Sequence, residues 1–231
     1  WVLEADIRGC FDHINHDWLV RHVPMDKTIL CKWLKAGVVH QGRLSPTEEG
    51  TPQGGIISPT LATMCLNGLE TGLIAHLCAR FGKTKAAKLK VYVVRYADDF
   101  VITGSSKDLL ETEVRPWIET FLAQRGLELS PEKTKVTHID DGFDFLGWNF
   151  RKYKGKLLIK PSKKNVKAFY SKVRDIVKTH VSVKQEDLIA KLNPVLRGWA
   201  QYHQPVVAKE TFSRMDSMIH WRLVRWARRR H

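Results

Sequence analysis

Two adjacent carboxylates, Asp98 and Asp99, fall between the β-rich runs 91–96 and 100–103, which places them near the tip of a hairpin. Like charges fixed side by side repel, so the arrangement makes chemical sense mainly where a divalent cation neutralises them. A third carboxylate, Asp6, stands where the apolar run Val2–Ile7 ends. Three such oxygen donors at neighbouring strand ends make a hard site suited to Mg²⁺. Two metal ions held in this way serve phosphoryl transfer, one activating the attacking oxygen and one stabilising the leaving oxygen. An isolated Asp-Asp pair is commonly a solvated turn; with Tyr96-Ala97 before it and apolar strands on both sides the signal becomes specific. His13 and His16 lie near Asp12 but have no second cluster at ligand spacing, so they read as surface or loop histidines. Cys10, Cys31, Cys65 and Cys78 form no CxxC pair and read as reduced, mostly buried thiols.

Positioning these groups requires a sheet. Residues 2–7 read as its first strand, 91–103 as a hairpin, and 136–139 and 143–148 as further strands. Between them, Asp17 is expected to cap a short helix stopped near Pro24, and Asp26 a second one bearing Ile29, Leu30, Trp33 and Leu34. Residues 38–55, rich in Gly, Thr and Pro, read as a hairpin and loop. Ser58-Pro59 starts a helix whose stripe Leu61, Met64, Cys65, Leu69, Leu73 and Leu77 keeps one face, with Gly68 and Gly72 there permitting close packing. A helix over about 109–124 is closed by Gly126. This alternation describes an α+β fold, an antiparallel sheet with helices on one face. From Lys163 the period becomes purely helical, through the stripe Val166–Val177, a helix begun by Asn193-Pro194, and a third lined by Phe212, Met215, Ile219, Leu223 and Trp226. The expected division is residues 1–159 followed by an all-α basic domain, 160–231.

The 231 residues are 43% hydrophobic and 10% aromatic, enough to fill a core and to exclude a disordered chain. Neither a signal peptide nor an apolar run of about 18 residues is evident, so no membrane span and a cytoplasmic, bacterial-type setting are expected. The formal charge of +14 is placed unevenly. Residues 1–150 hold 17 Lys and Arg against 19 Asp and Glu, a net −2; residues 151–231 hold 21 against 5, a net +16. So basic a block attracts a polyanion, and nucleic acid is favoured over an anionic membrane surface. Lys163, Lys164, Lys167, Arg174 and Lys178 oppose the Val166–Val177 stripe and are free to face phosphates. Arg197, Arg228, Arg229 and Arg230 join them, while Trp199 and Trp226 lie on apolar stripes and read as core.

The motifs now on the page resemble those of the reverse transcriptases encoded by group II introns. Tyr96-Ala97-Asp98-Asp99 is similar to their catalytic box, and Asp6-Ile7-Arg8-Gly9-Cys10-Phe11-Asp12 to their first palm motif. Residues 50–59, from Gly50-Thr51-Pro52-Gln53-Gly54-Gly55 to Ser58-Pro59, resemble the nucleotide-site loop and helix. Residues 126–135 resemble the next palm motif, Phe143–Trp148 the primer grip, and Leu192–His203 the maturase segment of the thumb, or X, domain. These follow the family's order over nearly the whole chain. The resemblance implies a right-hand polymerase palm followed by a helical thumb, and RNA-directed DNA synthesis with two Mg²⁺. Asp6 and Asp98 would bridge the metals, with Asp99 in support and the Ile7 carbonyl completing a shell. Phe11 would exclude the sugar 2′-hydroxyl, Gln53 would contact the incoming nucleotide beside Gly54, and Tyr96 belongs to the same nucleotide site. Lys133 would give a proton to the pyrophosphate, with Lys135 equally compatible. Phe145, Leu146 and Gly147 would position the primer end. The partners implied are intron RNA, an RNA template with a DNA primer, and deoxynucleoside triphosphates, with splicing assistance and retrohoming as the setting; a homodimer is left open.

The fingers segments before the first palm motif and the endonuclease motif of that family have no counterpart here. The chain is therefore expected to be a portion of a larger enzyme, and activity of this portion alone is left open. Alternatives are another bacterial reverse transcriptase (retron, diversity-generating or CRISPR-associated) and an RNA-binding maturase without polymerase activity. Intact Asp6, Asp98 and Asp99 weigh against the last.

Overall fold

The computed structural model describes residues 1–40, 43–45, 49–51 and 55–229. Gln53, Gly54 and Arg230 lie outside the described residues. Two compact units divide the chain, Trp1–His138 and Ile139–His231.

In the first unit β1 Val2–Ala5 leads into α1 Cys10–His13, α2 His16–His22 and α3 Lys27–Leu34. The hairpin β2 Val38–His40 and β3 Arg43–Ser45 precedes α4 Ser58–Leu66, α5 Leu69–Phe81 and α6 Lys83–Lys88. Then come β4 Tyr92–Tyr96 and β5 Asp99–Thr103, followed by a helical run and β6 Lys135–Thr137. That run is α7 Lys107–Leu109, a π-helical segment Leu110–Val114, and α8 Arg115–Ala123.

The four-stranded sheet has the order β4-β5-β1-β6, antiparallel throughout. Its register pairs Leu3 with Ile102 and Ala5 with Phe100, and all four are buried in one core with Leu61, Leu73, Ile118 and Leu122 of the helices. Side chains alternate along a strand, so Glu4 and Asp6 project from the opposite face. Glu4 is paired with Val101, which puts Asp99, two residues before it, on that same face. The helices thus cover one side of the sheet and the carboxylates occupy the other.

Three local expectations need correction. Asn15, not Asp17, caps α2: its Oδ1 accepts from the Trp18 N–H at 2.8 Å. An Asp inside the first turn still suits the helix dipole, which is why the sequence signal was misplaced by one half-turn. Asp26 caps α3 as expected, accepting from Ile29 N–H at 2.9 Å. The stripe from Leu61 to Leu77 is divided between two helices, broken at Asn67 and at Gly68 with φ +87°. Gly68 serves that break and has nothing near a hypothetical Cβ, whereas Gly72 does permit close packing, since a Cβ there would stand 3.0 Å from the Trp117 ring. By length and composition alone 58–81 is apolar enough to cross a bilayer, contrary to the sequence expectation. In the fold its buried residues, Leu61, Cys65, Leu66, Leu69, Leu73 and Leu77, belong to the core of this unit.

The second unit opens with the meander β7 Phe143–Phe145, β8 Trp148–Tyr153 and β9 Lys156–Pro161. Three helices follow: α9 Lys163–Thr179, capped by Ser162, α10 Gln185–His203 and α11 Lys209–Arg228. The compact unit begins at 139 rather than 160, because β9 pairs along its whole length with β8, from Trp148↔Pro161 to Tyr153↔Lys156. Phe169, Val173, Val177, Leu188, Leu192, Met215 and Ile219 form the helical core, with Trp199 and Trp226 packed partly buried against it as expected. Pro194 does not begin a helix; it lies within α10. An interior proline costs about 3 kcal/mol or more. Here its ring is exposed, and one uninterrupted helix keeps Leu188, Leu192 and His203 buried together.

Candidate polymerase site

The β4–β5 connection is two residues, Ala97 and Asp98, between the paired Tyr96 and Asp99. Ala97 takes φ +56°, a left-handed conformation that side chains other than Gly and Asn adopt at a cost. Arg95 pins it, one guanidinium nitrogen donating to the Ala97 carbonyl at 3.1 Å and the other to Asn67 Oδ1 at 3.3 Å. The sequence marked the hairpin but gave no role to Arg95, whose signal needs the α4–α5 break beside it.

Asp6 follows β1, and its backbone is held from the next strand segment. Ser130 N–H donates to the Asp6 carbonyl at 2.8 Å, and Arg8 N–H to the Glu128 carbonyl at 3.0 Å, forming the Ile7–Leu129 bridge. Neither bond uses the Ile7 carbonyl. The Asp6 carboxylate accepts from Lys133 Nζ at 3.1 Å, while Lys135 Nζ lies 3.4 Å from Glu4. Of the two lysines that the sequence left equal, the fold therefore brings only Lys133 to Asp6.

Burial pushes the Asp99 carboxyl above its ordinary value, and the negative charges of Asp98 and Asp6 push it further, with Lys133 pulling the other way. The neighbouring negative charges thus add to an effect that burial begins. Burial, then Asp98, raises the Cys10 thiol to about 12, and burial raises Cys65 to about 11. Neither provides a thiolate at neutral pH; Cys10 and Cys65 are buried, as expected, while Cys31 and Cys78 are only half-buried.

Phe11 is half-buried, packed against the core. Its carbonyl accepts from the Thr51 N–H, and Gly50 N–H donates to the Ile14 carbonyl at 3.0 Å. Gly50, at φ +72°, approaches so closely that a Cβ would stand 2.4 Å from the Phe11 and Asp12 carbonyl oxygens. His16 completes the anchor, its Nε2 2.6 Å from the Gly50 carbonyl, and His13 lies 3.3 Å from Glu49. The loop that contains Gln53 and Gly54 is thus tied at residues 50–51 to the segment after Asp6. Tyr96 is exposed beside the Ala97–Asp98 turn.

In the second unit Leu146 and Gly147 form the β7–β8 turn, with φ +49° and +81°. Phe145 precedes them, paired with Trp148. Lys163, Lys164, Lys167, Arg174, Lys178, Arg197, Arg228 and Arg229 are all exposed, and Phe169, Val173 and Val177 of α9 are buried, as the opposed faces required.

With this geometry in view, residues 1–150 match the model of the reverse transcriptase (RNA-dependent DNA polymerase) family. The chain belongs to that family. Residues 166–231 match the group II intron maturase-specific domain. The chain is 32% identical to protein YkfC of Escherichia coli K12, covering 64% of this chain and 46% of that protein. It is 30% identical to the group II intron-encoded protein LtrA of Lactococcus lactis subsp. cremoris, covering 65% of this chain and 35% of that one. The chain thus spans less than half the length of these relatives. Among solved structures, apo telomerase from Candida tropicalis shares the fold, with TM-score 0.50 and 14% identity over 94% of this chain and 45% of that one. The antiparallel sheet with helices on one face and the helical unit after it are accordingly a reverse transcriptase palm and thumb.

A reverse transcriptase domain implies a metal-dependent polymerase. Among the described residues no three His, Cys, Asp or Glu side chains stand together as a metal-ion cage, and Lys133 shares Asp6. The donor chemistry nevertheless fits a hard cation: all three groups are carboxylates at the ends of neighbouring strands and their turn.

Proposed function

We propose that this chain is the palm and thumb of an RNA-directed DNA polymerase encoded by a group II intron, which also binds its intron RNA and assists splicing. The observation that carries the reading is the reverse transcriptase match over residues 1–150, with Asp98 and Asp99 at the β4–β5 turn, Asp6 at the end of the neighbouring strand and Lys133 on Asp6. The maturase-specific match favours the intron class over retron, diversity-generating and CRISPR-associated enzymes.

In this reading Asp6 and Asp98, with Asp99 beside them and the Ile7 carbonyl available, would hold two Mg²⁺. Such ions supply charge neutralisation for the attacking primer hydroxyl and the leaving pyrophosphate. Lys133, with its Nζ on Asp6, would give a proton to the pyrophosphate oxygen. Phe11, beside the Thr51 anchor, bounds the sugar; Gln53, Gly54 and Tyr96 would serve the incoming nucleotide. Phe145, Leu146 and Gly147 seat the primer end. Lys163, Lys164, Lys167, Arg174, Lys178, Arg197 and Arg228–Arg230 meet RNA phosphates.

The test is primer extension on an RNA template with Mg²⁺ by the full-length protein. Asp98→Ala should cost at least about 3–4 kcal/mol of transition-state stabilisation, a few hundredfold in rate, while RNA binding survives. Full extension by Asp98→Ala would sink the polymerase assignment; loss of RNA binding along with it would point to misfolding of the palm.

A further inference from the structure

The β7–β8 turn is held by a set of polar groups, His203 and Ser162 buried and Asn165 half-buried among them, to which neither the sequence motifs nor the family match assigns a role. Leu146 and Gly147 both have positive φ, a conformation that a leucine does not choose by itself. The Leu146 carbonyl accepts from the Tyr202 hydroxyl at 2.6 Å, and the Gly147 carbonyl from Ser162 N–H at 2.9 Å. Beneath Gly147 lies Asn165, whose Nδ2 would stand 2.8 Å from a Cβ placed there.

Asn165 is the centre of a closed set of bonds. Its Oδ1 accepts from Trp199 Nε1 at 2.8 Å and from His203 Nε2 at 2.9 Å. On the other side of the imidazole, His203 Nδ1 accepts from Trp148 Nε1 at 2.9 Å. Both indoles can only donate, so the network has one solution. Asn165 must present its oxygen to Trp199 and His203, and His203 must be neutral with its proton on Nε2. Trp148 directly follows the turn, and its ring also stacks on Tyr202 at 5.0 Å. The loop of contacts therefore runs from the turn to α9, to α10, and back to the residue after the turn.

Burying the His203 imidazole, and half-burying the Asn165 amide and two indole N–H groups beside it, is unfavourable unless each is bonded, and apolar side chains of the same size would fill the space without that demand. What the polar set adds is direction: it accepts one placement of Trp148 and of the turn beside it.

We propose that Asn165 and His203 are positioning residues for polymerisation, fixing the Leu146–Gly147 turn in the conformation that seats the primer end. This rests on the reading of that turn as the primer-seating element. The experiment uses the full-length protein, an RNA template annealed to a DNA primer, and single-turnover addition of one deoxynucleotide. Asn165→Leu and His203→Phe are compared with the direct turn variant Gly147→Ala, whose new Cβ would press on Asn165. All three should slow addition tenfold or more while the Kd for primer–template stays within about twofold, because a misplaced end loses reactive geometry rather than affinity. His203→Gln, which keeps a donor toward Asn165, should recover part of the loss. If Gly147→Ala is slow and the network variants are not, the proposal is overturned and the primer-seating reading stands. If none is slow, that reading fails and the proposal with it. Slowing that only follows the loss of folded protein in thermal melts, with no recovery in His203→Gln, also overturns it. Should the apolar variants not fold, His203→Gln and Asn165→Ser carry the same comparison, and unchanged rates there count against the proposal.

Discussion

Lys133 Nζ stands 3.1 Å from Asp6 Oδ2, joining residues 127 apart in the chain. Lys135, two residues on, is on the same face of the sheet but turns to Glu4. Both lysines are well exposed, so neither pair contributes much to stability. Their difference is one of address: Lys133 points at the carboxylates and Lys135 away from them.

This address makes the two lysines separable in kinetics. Lys133→Ala should slow nucleotide addition by about 10²-fold or more, the scale of a lost general acid. Lys135→Ala should stay within about threefold of wild type, since a solvated surface cation is expected to contribute little. Single-turnover extension with saturating nucleotide decides between them, and equal losses would show that the Asp6 contact does not mark the proton donor.

Asp99 gives a pH test without activity. Its folded-state carboxyl is raised by burial and by Asp98 and Asp6, so the native state binds the proton more readily than the unfolded chain. Between the unfolded and folded values the native state holds more protons, and stability therefore falls as pH rises through that window. Above it the repulsion is felt in full. Asp99→Asn should accordingly raise the Tm of the metal-free protein at pH 7–8, and the gain should vanish in acid. A variant less stable than wild type at neutral pH would contradict the repulsion.

His203 has the opposite sign. Burial lowers its value from the ordinary 6.5, and its Nδ1 already accepts from Trp148. The unfolded chain takes the proton first, so this part of the stability is present above about pH 6.5 and is lost as pH falls toward the folded value. His203→Phe should flatten that acid limb in melts recorded from pH 7.5 to 5. A limb unchanged in His203→Phe would assign the acid sensitivity to other groups.

The basic face makes a prediction about salt. Each phosphate contact made by a lysine or arginine contributes about 0.7–0.9 to the slope of log K against log salt. Changing Lys163, Lys164, Lys167, Arg174 and Lys178 together to Gln should weaken RNA binding and flatten the slope by several units. Arg174 already pairs with Asp175 at 3.2 Å and is expected to add least. An unchanged slope in a filter-binding titration would mean that this charge is only solvated.

Much of the site was legible because it is encoded locally. The hairpin around Asp98, the Asp26 cap and the α9 stripe each depend on residues within a few positions of one another, where side-chain alternation and capping act directly. Asn15 displaced Asp17 as a cap because both types suit a helix start and only the backbone decides which is outside it. Pro194 misled because its local cost was outweighed by burial of Leu188, Leu192 and His203 on a face that exists only once α9 and α11 are in place. The same holds for the choice of Lys133 over Lys135, made when β6 pairs with β1. By itself, then, the sequence determined which carboxylates, cations and aromatic residues this protein has and the elements that carry them. Tertiary structure alone decided which meet: Asp6 with Lys133, Arg95 with Ala97, and Asn165 with His203 beneath Gly147. Contacts between distant segments are set by strand register and helix packing, and no short window of residues contains either.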